Sequence, residues 1–250
     1  MFRKLMIAGA FCAGLGATGA AALDLDSMST DEREAFGEAV RAYLLTNPEV
    51  LMEAIAVLEA RQEAEQSAND IALVSENMGA LYDDGHSVVS GNPEGDITII
   101  EFIDYRCSFC RRAHPEVAEL MESDGNIRKI TKEFPILVQE SVEASRFAIS
   151  NLQIEGEEAY REINDALIAH RGTFGRDALA RLARDAGFDA EAVIARMDDP
   201  GVTDVIRANR QLGEALAITG TPTFVFEDQL VRGYVPLDGM RAIVAELRGE

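Results

Sequence analysis

Cysteine is scarce in this chain, with three among 250 residues. A disulfide-stapled scaffold uses more cysteines at wider spacing, so that class is excluded. Histidine is equally sparse: His86, His114 and His170 lie far apart, and each reads as a lone surface or capping residue. Apolar runs long enough to cross a bilayer, about 20 residues, are missing after the N-terminus. Basic charge is in deficit too, with 23 Lys and Arg against 44 Asp and Glu and a net charge of −21. A surface that negative repels phosphate backbones, which excludes nucleic acid as the partner.

The apolar stretch that does exist opens the chain. Arg3 and Lys4 precede a Gly- and Ala-rich run from Leu5 to Gly19. Ala20-Ala21-Ala22 then stands before the acidic Leu23-Asp24-Leu25-Asp26. This layout predicts a cleaved secretory signal over residues 1–22 rather than a membrane anchor. Cys12 leaves with it. Cys107 and Cys110 remain, in a protein bound for an oxidising compartment.

Residues 23–84 are expected to form a helical extension. Ser29 and Glu32 are spaced as a capping box for a helix reaching about Thr46. Asn47-Pro48 reads as a second cap with proline at the first helical position. Leu51, Ile55 and Leu58 repeat at helical spacing, as do Ile71, Val74, Met78 and Leu81. Between them, residues 59–70 carry nothing apolar larger than alanine. Residues 29–58 are therefore read as a self-association element and 59–70 as an exposed stalk. Met28, Met52 and Met78 sit at apolar helix positions and are assigned to packing rather than copper.

Gly85 to Asp96 reads as loop. Ile97 to Ile103 is a β-branched run suited to a buried strand. A helix is expected from Cys107 to about Ser123, with Pro115 inside it, and a strand from Ile127 to Phe134. Strand–helix–strand of this length implies parallel pairing. Residues from about 138 to 218 are almost wholly helical in pattern, with breaks near Gly156, Gly172–Gly175, Gly187–Asp189 and Asp199-Pro200-Gly201. Thr223–Phe226 and Leu230–Tyr234 are short strands about a turn at Glu227-Asp228-Gln229. A last helix runs from Leu237 to about Leu247. The resulting class is an α/β fold over residues 85–250 with an inserted helical domain, preceded by a helical extension.

The chemistry concentrates at Cys107-Ser108-Phe109-Cys110, on a strand-to-helix junction. Free amides and aligned peptide dipoles at a helix N-terminus stabilise an anion. A thiolate there is favoured, and the thiolate is the nucleophile of disulfide exchange. Cys107 is placed to attack, and Cys110, one turn in, to resolve the mixed disulfide. Arg106, Arg111 and Arg112 add positive charge nearby. Zinc normally takes four ligands, and with His114 joining the pair as a third, no fourth is evident. A purely structural bridge over two intervening residues would constrain the unfolded chain very little. Gly220-Thr221-Pro222-Thr223 is the second signal, because proline opening a strand cannot donate to the ladder and X–Pro is the one bond where cis is cheap.

With Glu101-Phe102 ahead of Cys107-Ser108-Phe109-Cys110, Phe134-Pro135-Ile136-Leu137 and Thr221-Pro222-Thr223, the chain resembles the DsbA family of bacterial periplasmic thiol–disulfide oxidoreductases. The resemblance implies a thioredoxin-like fold and a periplasmic location. It implies a cis Pro222, with Thr221 presenting its backbone and Phe109 its side chain to substrate. It makes Glu101 a buried acid that relays the proton of Cys110, with Asp104 as substitute. Asn47-Pro48-Glu49, Ala60-Arg61-Gln62 and Gly91-Asn92-Pro93 are similar to the subset that includes the suppressor of copper sensitivity protein C, some of whose members are trimeric isomerases. Ser108-Phe109 departs from the histidine-containing dipeptide of the family's strongest oxidants. The expected activity is oxidase or isomerase on unfolded or misfolded exported proteins, recharged by a membrane redox protein. No organic cofactor or metal is required beyond the Cys107–Cys110 pair, and residues 29–58 would mediate homo-oligomerisation. A copper-handling protein and a non-catalytic folding chaperone are the alternatives.

Overall fold

The structure, a computed structural model, describes residues 28–250. The signal segment and Cys12 lie outside the described residues. The chain divides into two compact units between Ala60 and Arg61, ahead of the boundary at 84 expected from the sequence.

In the first unit, α1 (Thr30–Thr46) starts with the expected capping box: the Ser29 hydroxyl accepts from the Glu32 amide, and the Ser29 amide donates to Glu32. Asn47 behaves otherwise than expected. Its Nδ2 donates to the Tyr43 carbonyl at 2.9 Å, so it closes α1 instead of capping α2 (Glu49–Glu76). The Tyr43 carbonyl also accepts the Asn47 backbone amide at 2.8 Å, and the Thr46 hydroxyl donates to the Ala42 carbonyl at 2.7 Å, so the end of α1 is closed by its own last residues. No residue of α1 is buried, and residues 59–69 of α2 are exposed throughout.

The second unit continues with α3 (Met78–Tyr82), β1 (Val88–Gly91), β2 (Ile97–Ile103), α4 (Ser108–Asp124), β3 (Ile127–Glu133), α5 (Gln139–Glu155), α6 (Glu157–Ala169), α7 (Arg176–Asp185), α8 (Ala190–Arg196), α9 (Pro200–Ala215), β4 (Thr223–Phe226), β5 (Gln229–Arg232) and α10 (Leu237–Arg248). Its five strands are ordered β1-β3-β2-β4-β5. β2 and β3 pair in parallel, as a strand–helix–strand crossover requires, and the remaining pairs are antiparallel. This is the thioredoxin-like α/β fold, with α5 to α9 inserted between β3 and β4. The expected loop at 85–96 is corrected in part: Val88–Gly91 is an edge strand on β3. Four residues ending at a glycine give too short a pattern to stand out.

β2 is central and buried along its whole length, which its unbroken apolar run anticipates. Its residues alternate between faces. Ile97 and Ile99 pack with Val117 and Leu120 of α4 and Met240 of α10. Ile100 and Phe102 pack on the other face with Val74, Leu81 and Leu212. The extension thus contributes Val74 and Leu81 to the sheet's core, whereas Ile71 and Met78 stay exposed. Gly213 of α9 lies against the Phe134 ring, where an added Cβ would come within 2.3 Å. That close approach seats the insertion over the end of β3.

Candidate active site

β2 ends at Ile103, and the loop 104–107 delivers Cys107 to the N-cap of α4. Asp104 fixes this loop. It is fully buried, and its carboxylate accepts from the amides of Arg106 (2.8 Å), Ile136 (2.9 Å) and Leu137 (3.1 Å). With three backbone donors bound, Asp104 serves as a structural anchor of the loop.

Cys107 and Cys110 are both free thiols, and both are buried. The Cys107 sulfur accepts from the Cys110 amide at 3.4 Å, as a helix N-cap does. Its thiol lies 3.1 Å from the carbonyl oxygen of Thr221. Cys107 is pulled down to about 6: the Cys110 thiol donates to it, and the Thr221 side chain and the amides of Cys110 and Phe109 add to that, together outweighing burial. Cys110 moves the opposite way. Burial drives its thiol far up, and donation to Cys107 and the nearby Glu101 charge push it further. Two thiols one turn apart are therefore sharply differentiated.

Thr221 and Pro222 reach the site through the sheet. β4 pairs with β2 in the register Phe102↔Thr223 and Glu101↔Phe224, which puts the residues opening β4 beside the end of β2. The Thr221–Pro222 bond is cis. Thr219 and Gly220 are exposed just ahead of it. Phe109 is 54% exposed and stacks on Tyr234 at 6.2 Å, while the Arg112 guanidinium covers the Tyr234 ring at 4.4 Å. Ser108 is exposed beside it. Leu137 and Val138 are exposed on the loop that Asp104 ties down.

Glu101 lies fully buried, with Lys129 Nζ at 2.7 Å. Lys129 stands opposite Ile99, two positions from Glu101 and so on the same face of the sheet. Sequence reasoning missed this lysine. The signal available was a lysine within a strand expected to pair in parallel, and parallel sheets are buried, so it calls for a partner. The three arginines have local duties: Arg106 pairs with Glu140 and covers Phe174, and Arg111 donates twice to the Tyr105 carbonyl, at 3.0 and 2.8 Å. His114 contacts Asp165 at 2.8 Å. Among the described residues, no three His, Cys, Asp or Glu side chains are grouped to share a metal ion.

A fold of this topology with two unequal thiols at one helix N-terminus defines a thioredoxin-like protein of the thiol–disulfide exchange type. The thioredoxin family model matches residues 83–246, and the chain belongs to that family. A second model, the N-terminal domain of the copper resistance protein ScsC, matches residues 32–65. A thioredoxin-like oxidoreductase from Silicibacter pomeroyi is 37% identical with a TM-score of 0.65, over 70% of this chain and 99% of that one. A linker-deletion variant of Proteus mirabilis ScsC shares the fold at 22% identity and a TM-score of 0.65, over 89% of this chain and 98% of that one. The Na(+)/H(+) antiporter NhaA 1 of Salinispora arenicola is 26% identical over 191 residues, 75% of this chain but 29% of the antiporter. The chain spans between 23% and 29% of the curated relatives it matches. Among the described residues, no helix is long and apolar enough to cross a membrane.

Proposed function

We propose that this protein exchanges disulfides with unfolded or misfolded exported polypeptides, in the periplasm, through Cys107 and Cys110. One observation carries this reading: the Cys107 sulfur sits at the N-cap of α4, 3.4 Å from the Cys110 amide, which favours its thiolate and lowers it to about 6 while burial raises its neighbour. At neutral pH Cys107 is a thiolate and Cys110 a thiol. The Cys107 thiolate attacks a substrate disulfide, forming a mixed disulfide and releasing one substrate thiolate. Cys110 then attacks the Cys107 sulfur, closing the Cys107–Cys110 bridge and releasing the second. The substrate gains two electrons and the pair loses them. The reverse sequence oxidises a substrate dithiol, with a membrane redox protein accepting the electrons, and attack without closure reshuffles bonds.

The Cys110 proton needs an acceptor, and Glu101, near enough to repel a Cys110 thiolate, takes that role. Substrate lies as an added strand along 219–221, where Thr219 and Gly220 are exposed and Thr221 half-buried, with Phe109 beneath the residue beside its cysteine. The chemistry draws on the two sulfurs alone, with no organic cofactor or metal. The test is a trap. With Cys110→Ala, a scrambled secreted protein should accumulate as a mixed disulfide on Cys107, seen on non-reducing gels. Rapid release of substrate from this variant would contradict the assignment.

Self-association through residues 29–58 belongs to the same proposal. Phe36, Val40 and Tyr43 form an exposed apolar stripe on α1, and Leu51, Ile55 and Leu58 another on α2. A second copy burying them would cluster redox sites and favour isomerisation. By sedimentation velocity the wild type should be oligomeric and the double variant Leu51→Asp/Ile55→Asp monomeric. An unchanged mass would rule this surface out.

A further inference from the structure

Glu133, at the end of β3, is a buried acid that the exchange chemistry leaves unused. Its Oε1 accepts from the Tyr105 hydroxyl at 2.6 Å and the Tyr160 hydroxyl at 2.7 Å. The Tyr105 oxygen in turn accepts from Asn164 Nδ2 at 2.9 Å. Oε2 has no hydrogen-bond partner and is the atom free to take a proton. The backbone oxygen of Glu133 accepts from Asn209 Nδ2 at 3.0 Å. Three insertion helices therefore converge on one strand-end residue: α6 through Tyr160 and Asn164, α9 through Asn209, and α5 through Ser145, which also faces the carboxylate.

Tyr105 carries this cluster to the cysteines. It is fully buried in the same apolar cluster as Cys107 and Cys110, two positions before the attacking sulfur. Its carbonyl holds Arg111 in the first turn of α4. One residue thus grips Glu133 through its hydroxyl and the redox helix through its backbone.

The charged and titratable groups facing Glu133 are few. Asp104 repels it from the redox loop, Tyr105 and Tyr160 donate to it, and Glu101 lies near Tyr160. His86 lines the same small cavity, paired with Asp84 at 3.1 Å. Lys132, next in sequence, points elsewhere, to Asp84 and the Ala80 carbonyl. Burial without a cation pushes Glu133 up to about 7, against the hydrogen bonds that hold it down.

We propose that Glu133 is a positioning residue for the redox pair: its ionised carboxylate holds Tyr105, and through it the Cys107 loop, against the insertion, and protonation slackens that hold. A hydrogen bond to a charged acceptor is roughly twice as strong as one to a neutral acceptor, so the two states grip the loop unequally. The inference rests on the exchange reading and assigns that site a second ionisation.

The experiment is the pH profile of Cys107 alkylation by iodoacetamide in the reduced full chain. At about pH 6.5 Cys107 is already about three-quarters thiolate and Cys110 does not yet ionise, so a rise beyond about 1.3-fold belongs to another group. In the wild type the rate should rise about fivefold between about pH 6.5 and about pH 8.5, the low end for coupled sites. Glu133→Gln and Tyr105→Phe should both abolish that step, whereas His86→Gln should retain it. Tyr105→Phe keeps the ring and serves if the Gln variant does not fold. A wild-type rate that is flat over this range, or a step that survives both substitutions, overturns the proposal. Alkylation needs no turnover. A two-step profile in a protein that exchanges no substrate disulfides would refute the exchange reading and leave the coupling intact.

Discussion

Replacing Lys129 with methionine should cost about 3–5 kcal/mol of stability, the usual penalty for leaving a buried charge without its partner. The pair it breaks is Lys129 Nζ to Glu101 at 2.7 Å, with side chains only 6% and 0% exposed. Desolvating two charges is expensive, and their mutual attraction offsets that cost only while both are present. The double variant Lys129→Met/Glu101→Gln should therefore recover most of the loss. A cycle of urea unfolding at pH 7 over the two single variants and the double measures this. A single-variant loss under about 1 kcal/mol would show that water reaches the pair and screens it. The same substitution bears on function, because Glu101 already helps to push the Cys110 thiol up. Without Lys129 that repulsion grows, and resolution of the mixed disulfide should slow while Cys107 still attacks.

Features written within a few residues of each other were legible in the sequence. Ser29 and Glu32 announced their capping box, Asp199-Pro200-Gly201 a break between helices, and the Cys-x-x-Cys its strand-to-helix junction, because each is decided by local backbone geometry. The cis bond at Pro222 followed from the family pattern. What stayed hidden depends on register and long-range packing. Lys129 meets Glu101 only because β3 pairs in parallel with β2 in one particular alignment. Tyr105, Glu133 and Tyr160 come from three separate elements, and none of them marks itself as part of a cluster. Asp104 lay close enough to Cys107 to invite a catalytic role, yet its acceptors' duty to Ile136 and Leu137 could not be read without the fold. Asn47 reads in the sequence as the cap of the second helix, and only the structure shows its side chain on the Tyr43 carbonyl of the first.

Cys107 gives the second large effect. Its thiol falls from the ordinary cysteine value to about 6, led by donation from the Cys110 thiol. A group whose folded value is depressed stabilises the folded state above its unfolded value, and that stability is lost as pH falls through the folded value. In the reduced protein, Cys107 should therefore contribute about 1.4 kcal/mol at pH 7 and almost nothing below about pH 5. Glu133 runs the other way: raised to about 7, its contribution is complete below its unfolded value and lost as pH rises through about 7. The difference between wild type and Cys107→Ser isolates the sulfur from that opposing trend. Stabilising the thiolate also favours the reduced pair, which makes the disulfide a stronger oxidant, with about 30 mV for each 1.4 kcal/mol.

The most direct measurement is the thiolate absorbance near 240 nm of the fully reduced protein, titrated beside Cys107→Ala from acid to about pH 8.5, below the range where tyrosine ionises and absorbs. The expected result is one transition with a midpoint of about 6, absent from the variant. A midpoint at the value of an unperturbed cysteine, about 8.5, would contradict it.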